Sequence, residues 1–373
     1  MKILHICNDY CGSKVHERLC AELDRLGAEQ MVYAHFEGRD KVGRNRIDSA
    51  RMQYVYDPML RKVHHYLFHL RVHDVYASMM RQIGSPADFD LIHAATLFSD
   101  GALALKLHRR YGTPYVVAVR KTDVYRFLRL GPHTWPMGRR ILLEASKVVF
   151  ISKALMEAFE RHPMIQAMLP RIKHKLVLQP NGIDDYWIDN CVPQSSARNG
   201  LIYVGKFDAN KNVLRLMDAV EQLQQRIPDV HLDLVGGTDS QHELVLARVK
   251  SHPELYTYHG QIFERPLLKE LYARNAVFCM PSINETFGLV YIEALSQGLA
   301  VLCSRGQGID GLFAAKVGEF VDPASADAIE AGLYALLTQR ENYATQLDFE
   351  QFRWSAIACR YMDFFTELIT QRV

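Results

Sequence analysis

Two glutamates eight positions apart, Glu285 and Glu293, flank a glycine, Gly288, in the stretch NETFGLVYIEALSQG (284–298). The apolar run AVFCM and Pro281 precede them, so the stretch reads as a strand, a loop and a helix that starts near Gly288 or Leu289. Glu285 then lies in the loop and Glu293 about one turn into the helix. The free N–H groups of a first helical turn favour an anion such as a phosphate, and Gly288 would let that backbone approach closely. The bland alternative is an amphipathic helix with its acids on the wet face. Upstream, VGKFDANKN (204–212) sets Lys206 and Lys211 just beyond a strand that ends at Gly205. Two cations there could neutralise a diphosphate without a metal, or could form a solvated basic loop.

Three weaker stretches share this logic. NDYCGSKVHERL (8–19) turns through Gly12 and Ser13 into a helix, a second anion-friendly start without a full Gly-rich fingerprint. Its alternative is a plain strand-to-helix turn. AVRKTDVYRF (118–127) places Arg120, Lys121 and Asp123 after a buried strand, either as cleft residues or as a surface charge cluster. GQGIDG (306–311) follows the strand LAVLCS, and its glycines suit backbone contact with a ligand.

The elements that must position these residues alternate along the chain. Strand patterns KILHI, QMVYAH, DLIHAA, PYVVAV and KVVFIS in the first half are separated by helix patterns such as 15–26 and 100–110. The second half repeats this with GLIYVGK, HLDLVGG, YTYHGQI, AVFCMPS and LAVLCS, and with helices over 213–226, 267–275 and 290–297. Such alternation predicts an α/β chain with two doubly wound, Rossmann-like domains, whose ligands bind at the carboxyl ends of the strands in a cleft between them. The turn at Pro180–Gly182 divides an N-terminal domain, 1–182, from a C-terminal one, 183–353. A last helix, 354–371 within the segment 354–373, is expected to pack back on the first domain.

One segment breaks the pattern. Residues 39–84 show few strand signals and much helix pattern, and 39–82 carries a net charge of +5, with tyrosines interleaved among histidines. A solvated helical insertion and a segment lying on an anionic membrane surface, together with Arg126, Arg129, Arg139 and Arg140, are both open readings. The overall charge of +2 on 373 residues gives no reason to expect a nucleic-acid partner. Seven cysteines, an odd number without a CxxC pair, read as reduced core residues of a cytoplasmic protein. The N-terminus is too short and polar for a signal peptide, and no run of ~18 apolar residues suits a membrane span.

Five motifs in order, PNGID (180–184), VGKFDANKN, DLVGG (233–237), YHGQI (258–262) and PSINETFGLVYIEALSQGLAVLCS (281–304), resemble the retaining glycosyltransferases of family 4, and the resemblance covers nearly the whole chain. It implies the GT-B fold and transfer of a hexose from a nucleotide diphosphate sugar to a glycan or lipid-linked acceptor, in cell-surface polysaccharide or lipopolysaccharide synthesis. It implies no cofactor and no metal, and a cytoplasmic site, with a peripheral seat on the inner membrane face left open. By position, Glu293 would bind the ribose and Glu285 would lie beside the transferred sugar. Thr286, Phe287, Gly288, Leu289 and Val290 would hold the sugar and diphosphate. Lys206 and Lys211 would stabilise the leaving diphosphate, and Gln261 would border the base. Gly12, Ser13 and Asp123 would contact substrate from the first domain. Arg120 stands where many relatives have a histidine near the transferred sugar, and Lys206 where arginine is commoner. An inactive GT-B protein that only binds nucleotide sugar and a nucleotide-sugar 2-epimerase are the alternatives.

Overall fold

A computed structural model describes residues 1–193, 199–344 and 346–370. The chain divides into two units. One comprises 1–151, 155–182 and the chain from Trp354 onward, and the other comprises 152–154 and 183–353.

The first unit is built on a wholly parallel seven-stranded sheet. Its strands are β1 (Lys2–Ile6), β2 (Glu29–His35), β3 (Met52–Asp57), β4 (Leu91–Ala94), β5 (Tyr115–Val119), β6 (Lys147–Phe150) and β7 (Leu176–Leu178). They lie in the order β3-β2-β1-β4-β5-β6-β7. Helices cover both faces of such a sheet, which is why β4 and β5 are buried along their whole length and read as unbroken apolar runs. The helix Trp354–Thr370 belongs to this unit. Its Trp354, Ile357, Tyr361 and Phe365 pack with Ile3, Leu19, Leu23 and Val116. Gln371, the last residue of the expected helix, lies outside the described residues.

The second unit is also wholly parallel, with six strands: β8 (Gly200–Gly205), β9 (His231–Gly236), β10 (Tyr256–Tyr258), β11 (Val277–Cys279), β12 (Ala300–Ser304) and β13 (Gly318–Val321). Their order is β10-β9-β8-β11-β12-β13. In both sheets the winding reverses beside the first strand, between β1 and β4 and between β8 and β11. Loops leaving the carboxyl ends of those strands splay apart there and leave room for a ligand. The loops in question are 7–13 and 95–100 in one unit, and 206–212 and 280–288 in the other.

Two expectations need correction. Residues 39–84 are not one helical insertion. Residues 52–57 form β3 at the sheet edge, with Tyr54 and Tyr56 stacked at 5.7 Å between ring centroids. The period-2 signal of MQYVYD was masked because an edge strand with one wet face carries polar and aromatic residues instead of an apolar run. Residues 39–51 fold back onto the loop after β1, where the Asn45 side-chain amide donates to the carbonyl of Tyr10 at 2.7 Å. Nor are all the cysteines in cores: Cys7, Cys11, Cys20, Cys279 and Cys303 are buried, whereas Cys191 and Cys359 are exposed.

Candidate functional site

In the second unit, the loop after β8 and the loop after β11 are laced together by backbone and amide groups. The Ile283 N–H donates to the Asn210 carbonyl (2.7 Å), and the Asn210 amide to the Asn284 carbonyl (3.2 Å). Asn212 holds a left-handed backbone (φ 60°), which asparagine tolerates better than most residues, and its amide donates to the carbonyls of Pro281 (3.0 Å) and Pro323 (2.8 Å). This lacing brings Lys211 to Glu285, 74 residues further on. Lys211 Nζ lies 2.5 Å from Glu285 Oε2, with the side chains 22% and 11% exposed. The other carboxylate oxygen accepts the Thr286 N–H at 3.0 Å. The Glu285 backbone is held by the GQG turn, with its N–H on Gln307 Oε1 (3.1 Å) and its carbonyl on the Gly308 N–H (3.1 Å).

Gly288 holds the N-cap position of the following helix, Leu289–Ser296, with φ 75° and no side-chain capping bond; the Tyr291 N–H turns back to the Gly288 carbonyl at 3.0 Å, and the N–H groups of Leu289 and Val290 keep their orphan character. A Cβ at position 288 would lie 2.5 Å from the Tyr291 ring and 3.2 Å from Glu285 Cγ. Phe287 is buried beneath this turn, and Leu289 and Val290 are partly exposed. Glu293 follows on the same helix. Burial, reinforced by the nearby Asp184 carboxylate and only partly offset by Arg265, pushes its pKa up to about 7. Arg265 is itself engaged with Asp184 at 2.6 Å.

Lys206 is placed differently from Lys211. It is 70% exposed and lies 3.8 Å from the Asp239 carboxylate. Gln261 is exposed and donates to the Thr238 hydroxyl (2.8 Å) and the Gly237 carbonyl (3.2 Å). The turn it holds has three consecutive positive φ angles, at Gly236, Gly237 and Thr238. A Cβ at 236 would fall 1.9 Å from the Gly205 carbonyl oxygen, so glycine is required where this turn crosses the end of β8.

In the first unit, the turn through Gly12 and Ser13 is less open to an anion than its sequence implies. The N–H groups of both residues donate to the Asp9 carbonyl, at 3.0 and 3.1 Å, and the Ser13 hydroxyl accepts from the Val15 N–H. Asp123, expected to contact substrate, is 1% exposed. Its carboxylate accepts the N–H groups of Leu97 (3.1 Å), Phe98 (3.0 Å) and Arg120 (2.8 Å), tying the loop after β4 to the loop after β5. Burial pushes its pKa up to about 6 despite those three donors. Arg120 is held by this clamp and by a bond from its Nε to the Ala95 carbonyl (3.0 Å).

Sequence reasoning missed a set of buried polar groups under these loops. His35 and Asp100, both side chains fully enclosed, approach to 3.7 Å, and the Arg71 guanidinium reaches His35 at 3.5 Å. His35 Nδ1, Asp100 Oδ1 and Arg71 Nε have no hydrogen-bond partner. Across the sheet, His5 Nε2 meets Gln30 Oε1 (3.0 Å), while the Gln30 amide donates to the Cys20 carbonyl. His5 therefore carries its proton on Nε2, and its Nδ1 accepts from His93 Nδ1 at 3.1 Å. Burial depresses the His5 pKa to about 4. The available signal was a histidine at the centre of two otherwise apolar strand patterns, KILHI and DLIHAA. Among the described residues no three His, Cys, Asp or Glu side chains gather to hold a metal ion, and no helix is long and apolar enough to cross a membrane.

Residues 13–186 match the domain described as Glycosyltransferase Family 4, and residues 192–348 match Glycosyl transferases group 1. The chain is 30% identical over 199 residues to a phosphatidyl-myo-inositol mannosyltransferase of Mycobacterium tuberculosis (strain CDC 1551 / Oshkosh), covering 49% of this chain and 52% of the relative. It thus spans about half the length of that relative. It is 26% identical over 352 residues to the putative teichuronic acid biosynthesis glycosyltransferase TuaC of Bacillus subtilis (strain 168), covering 88% and 87% of the two chains. Among solved structures, the sucrose-phosphate synthase of Thermosynechococcus elongatus superposes with a TM-score of 0.70 at 19% identity, over 100% of both chains. Anabaena Alr3699/HepE in complex with UDP does so with a TM-score of 0.65 at 16% identity, over 100% of this chain and 99% of that one. These likenesses identify the fold as that of the GT-B glycosyltransferases. With its first half matching one domain of the family and its second half the other, the chain belongs to the family 4, group 1 glycosyltransferases.

Proposed function

We propose that this chain transfers a hexose from a nucleoside diphosphate sugar to a hydroxyl of a glycan or lipid-linked acceptor, with retention at the anomeric carbon. The observation that carries the reading is the Lys211–Glu285 pair at the uncapped N-terminus of the helix Leu289–Ser296, with Glu293 one turn along it. In this reading the helix N-terminus from Thr286 to Val290 takes the diphosphate, Glu293 the ribose and Glu285 the transferred sugar. Lys211, with the exposed Lys206, stabilises the departing diphosphate. Gln261 borders the base. The acceptor oxygen bonds to the anomeric carbon as the bond from that carbon to the phosphate oxygen breaks, and the acceptor proton passes to the leaving phosphate. The protein then contributes positioning and charge stabilisation, with no carboxylate nucleophile and no metal. Arg120, held by Asp123, and the turn at Gly12 and Ser13 are assigned to the acceptor, on the first unit. The bound UDP of HepE and the mannosyl and teichuronic relatives support nucleotide-sugar chemistry in surface-glycan synthesis.

The test is release of free nucleoside diphosphate, assayed over a panel of UDP- and GDP-sugars with and without acceptor lipid extracts. Acceptor-dependent release from one donor supports the reading. No turnover with intact nucleotide binding would point to a binding protein, and a change in the sugar without nucleotide release to an epimerase. Activity that survives EDTA supports the metal-free form; loss restored only by added metal overturns it.

A further inference from the structure

Residues 61–70, RKVHHYLFHL, carry exposed apolar groups that the core of the first unit does not use. Only His64 and Phe68 are buried in this run. His64 accepts the Arg61 N–H on Nδ1 (3.1 Å) and faces Asp74 with Nε2 (3.2 Å), while the Phe68 ring sits 5.6 Å from that of Phe127. These two anchors hold the segment with its other apolar side chains turned out: Val63 is 42% exposed, Tyr66 81%, Leu67 52% and Leu70 40%. A second, distant segment joins the same face. Beyond the π-helical turn Asp123–Leu128, Leu130 is 71% exposed. The Arg126 guanidinium donates to the His65 carbonyl (3.1 Å), and the His69 and His133 rings lie 6.3 Å apart.

Single exposed apolar residues are ordinary, but a contiguous group gathered from two chain segments marks an interaction surface. Its charge identifies the partner. Arg61, Lys62, Arg126 and Arg129 are all exposed around the apolar tips. The acids nearby are engaged with histidines, Glu37 with His65 at 2.9 Å and Asp74 with His64 and His73. A second copy docked face to face would set these cations against their own equivalents.

We propose that this face, built from residues 61–70 and 126–130, seats the protein on an anionic lipid surface. Tyr66, Leu67 and Leu130 enter the headgroup boundary, and the arginines and Lys62 reach the lipid phosphates. The aromatic body and polar tip of Tyr66 suit that depth. The inference deepens the lipid-linked-acceptor reading, since such a surface is where that acceptor would be presented, but the surface is argued from its own residues.

Flotation of the full chain tests it, with vesicles of phosphatidylcholine alone and of phosphatidylcholine mixed with phosphatidylglycerol. The parent floats with the mixed vesicles, and added salt weakens the binding. Lys62→Gln with Arg129→Gln loses roughly fivefold affinity per charge. Tyr66→Ser with Leu130→Ser loses it without any change of charge. Arg171→Gln with Lys173→Gln, which removes two exposed cations elsewhere on the same unit, keeps it. Thermal midpoints equal to the parent's show that the variants fold. A parent that ignores phosphatidylglycerol, tip variants that float like the parent, or a parent dimer that the tip variants dissociate would each overturn the proposal. Nucleotide affinity by calorimetry separates the two readings: its absence in the parent would remove the proposed transfer and leave the flotation result standing.

Discussion

Replacing Lys211 with alanine should do two things that the ion pair makes separable. It removes the cation assigned to the departing diphosphate, and it leaves the Glu285 carboxylate, 11% exposed, unpaired beside the same phosphates. Two unit charges ~4 Å apart at the effective dielectric of a protein surface interact by about 4 kcal/mol. Lys211 is 22% exposed, so solvent screens part of this. About 3 kcal/mol then remains, or on the order of 10²-fold in kcat. The stranded carboxylate adds to that loss by repelling the diphosphate. The double change Lys211→Ala with Glu285→Gln should therefore fall well short of the product of the two single effects, because each partner's removal already disables the pair. The assay is steady-state nucleoside diphosphate release by all four proteins at saturating donor and acceptor. A near-normal kcat for Lys211→Ala would remove that residue from charge stabilisation. Strictly multiplicative losses would show that the pair is a resting contact with no share in the transition state.

Glu293→Ala should weaken nucleoside diphosphate binding in calorimetry, and unchanged affinity would sink the ribose assignment. The Glu293 pKa is raised to about 7, so the neutral form is the one the fold prefers; the stability it contributes is fully present below the ordinary carboxylate range and is lost as pH rises through about 7. Glu293→Gln should therefore raise the thermal midpoint on the alkaline side of that value and leave it unchanged in acid; equal midpoints throughout would contradict the burial argument. Asp123→Asn sets an amide N–H₂ against backbone donors that now share a carboxylate, and should cost about 3 kcal/mol in urea unfolding. A parental midpoint there would mean that the clamp is not needed. Gly288→Ala meets the Tyr291 ring and Glu285 Cγ at φ 75°, with strain of about 1–3 kcal/mol. It should cut kcat more than its loss of stability accounts for, and full activity would show that the turn can relax.

Much of the architecture is visible in local pattern. KILHI predicts β1 to the residue, and the helix expected over 213–226 appears as Val213–Gln224. Apolar runs bounded by turn residues report strands buried on both faces, and most strands of these sheets are of that kind. The exceptions failed for a physical reason. β3, β7 and β13 are edge strands of their sheets, each with partly exposed residues that break the apolar run. Residues 39–82 are a single basic, aromatic segment in the sequence but divide in the fold: 39–51 lies over the loop after β1, 52–57 forms β3, and 61–70 groups its exposed apolar side chains beside 126–130.

The candidate site divides in the same way. That Glu285, Gly288 and Glu293 share one strand–loop–helix turn is decided within the single stretch from Val277 to Ser296. The sequence by itself determined this, because helix starts, glycine turns and strand ends depend on near neighbours. That Lys211 meets Glu285, that Lys206 remains exposed, and that Asp123 serves backbone donors instead of a ligand were decided only by tertiary structure. So were the closed N–H groups of Gly12 and Ser13 and the unpartnered atoms of His35, Asp100 and Arg71. Each depends on which loops the sheet order sets side by side, and the energies of ion pairs and buried polar groups are set by distance and by the exclusion of water, neither of which is written in residue spacing.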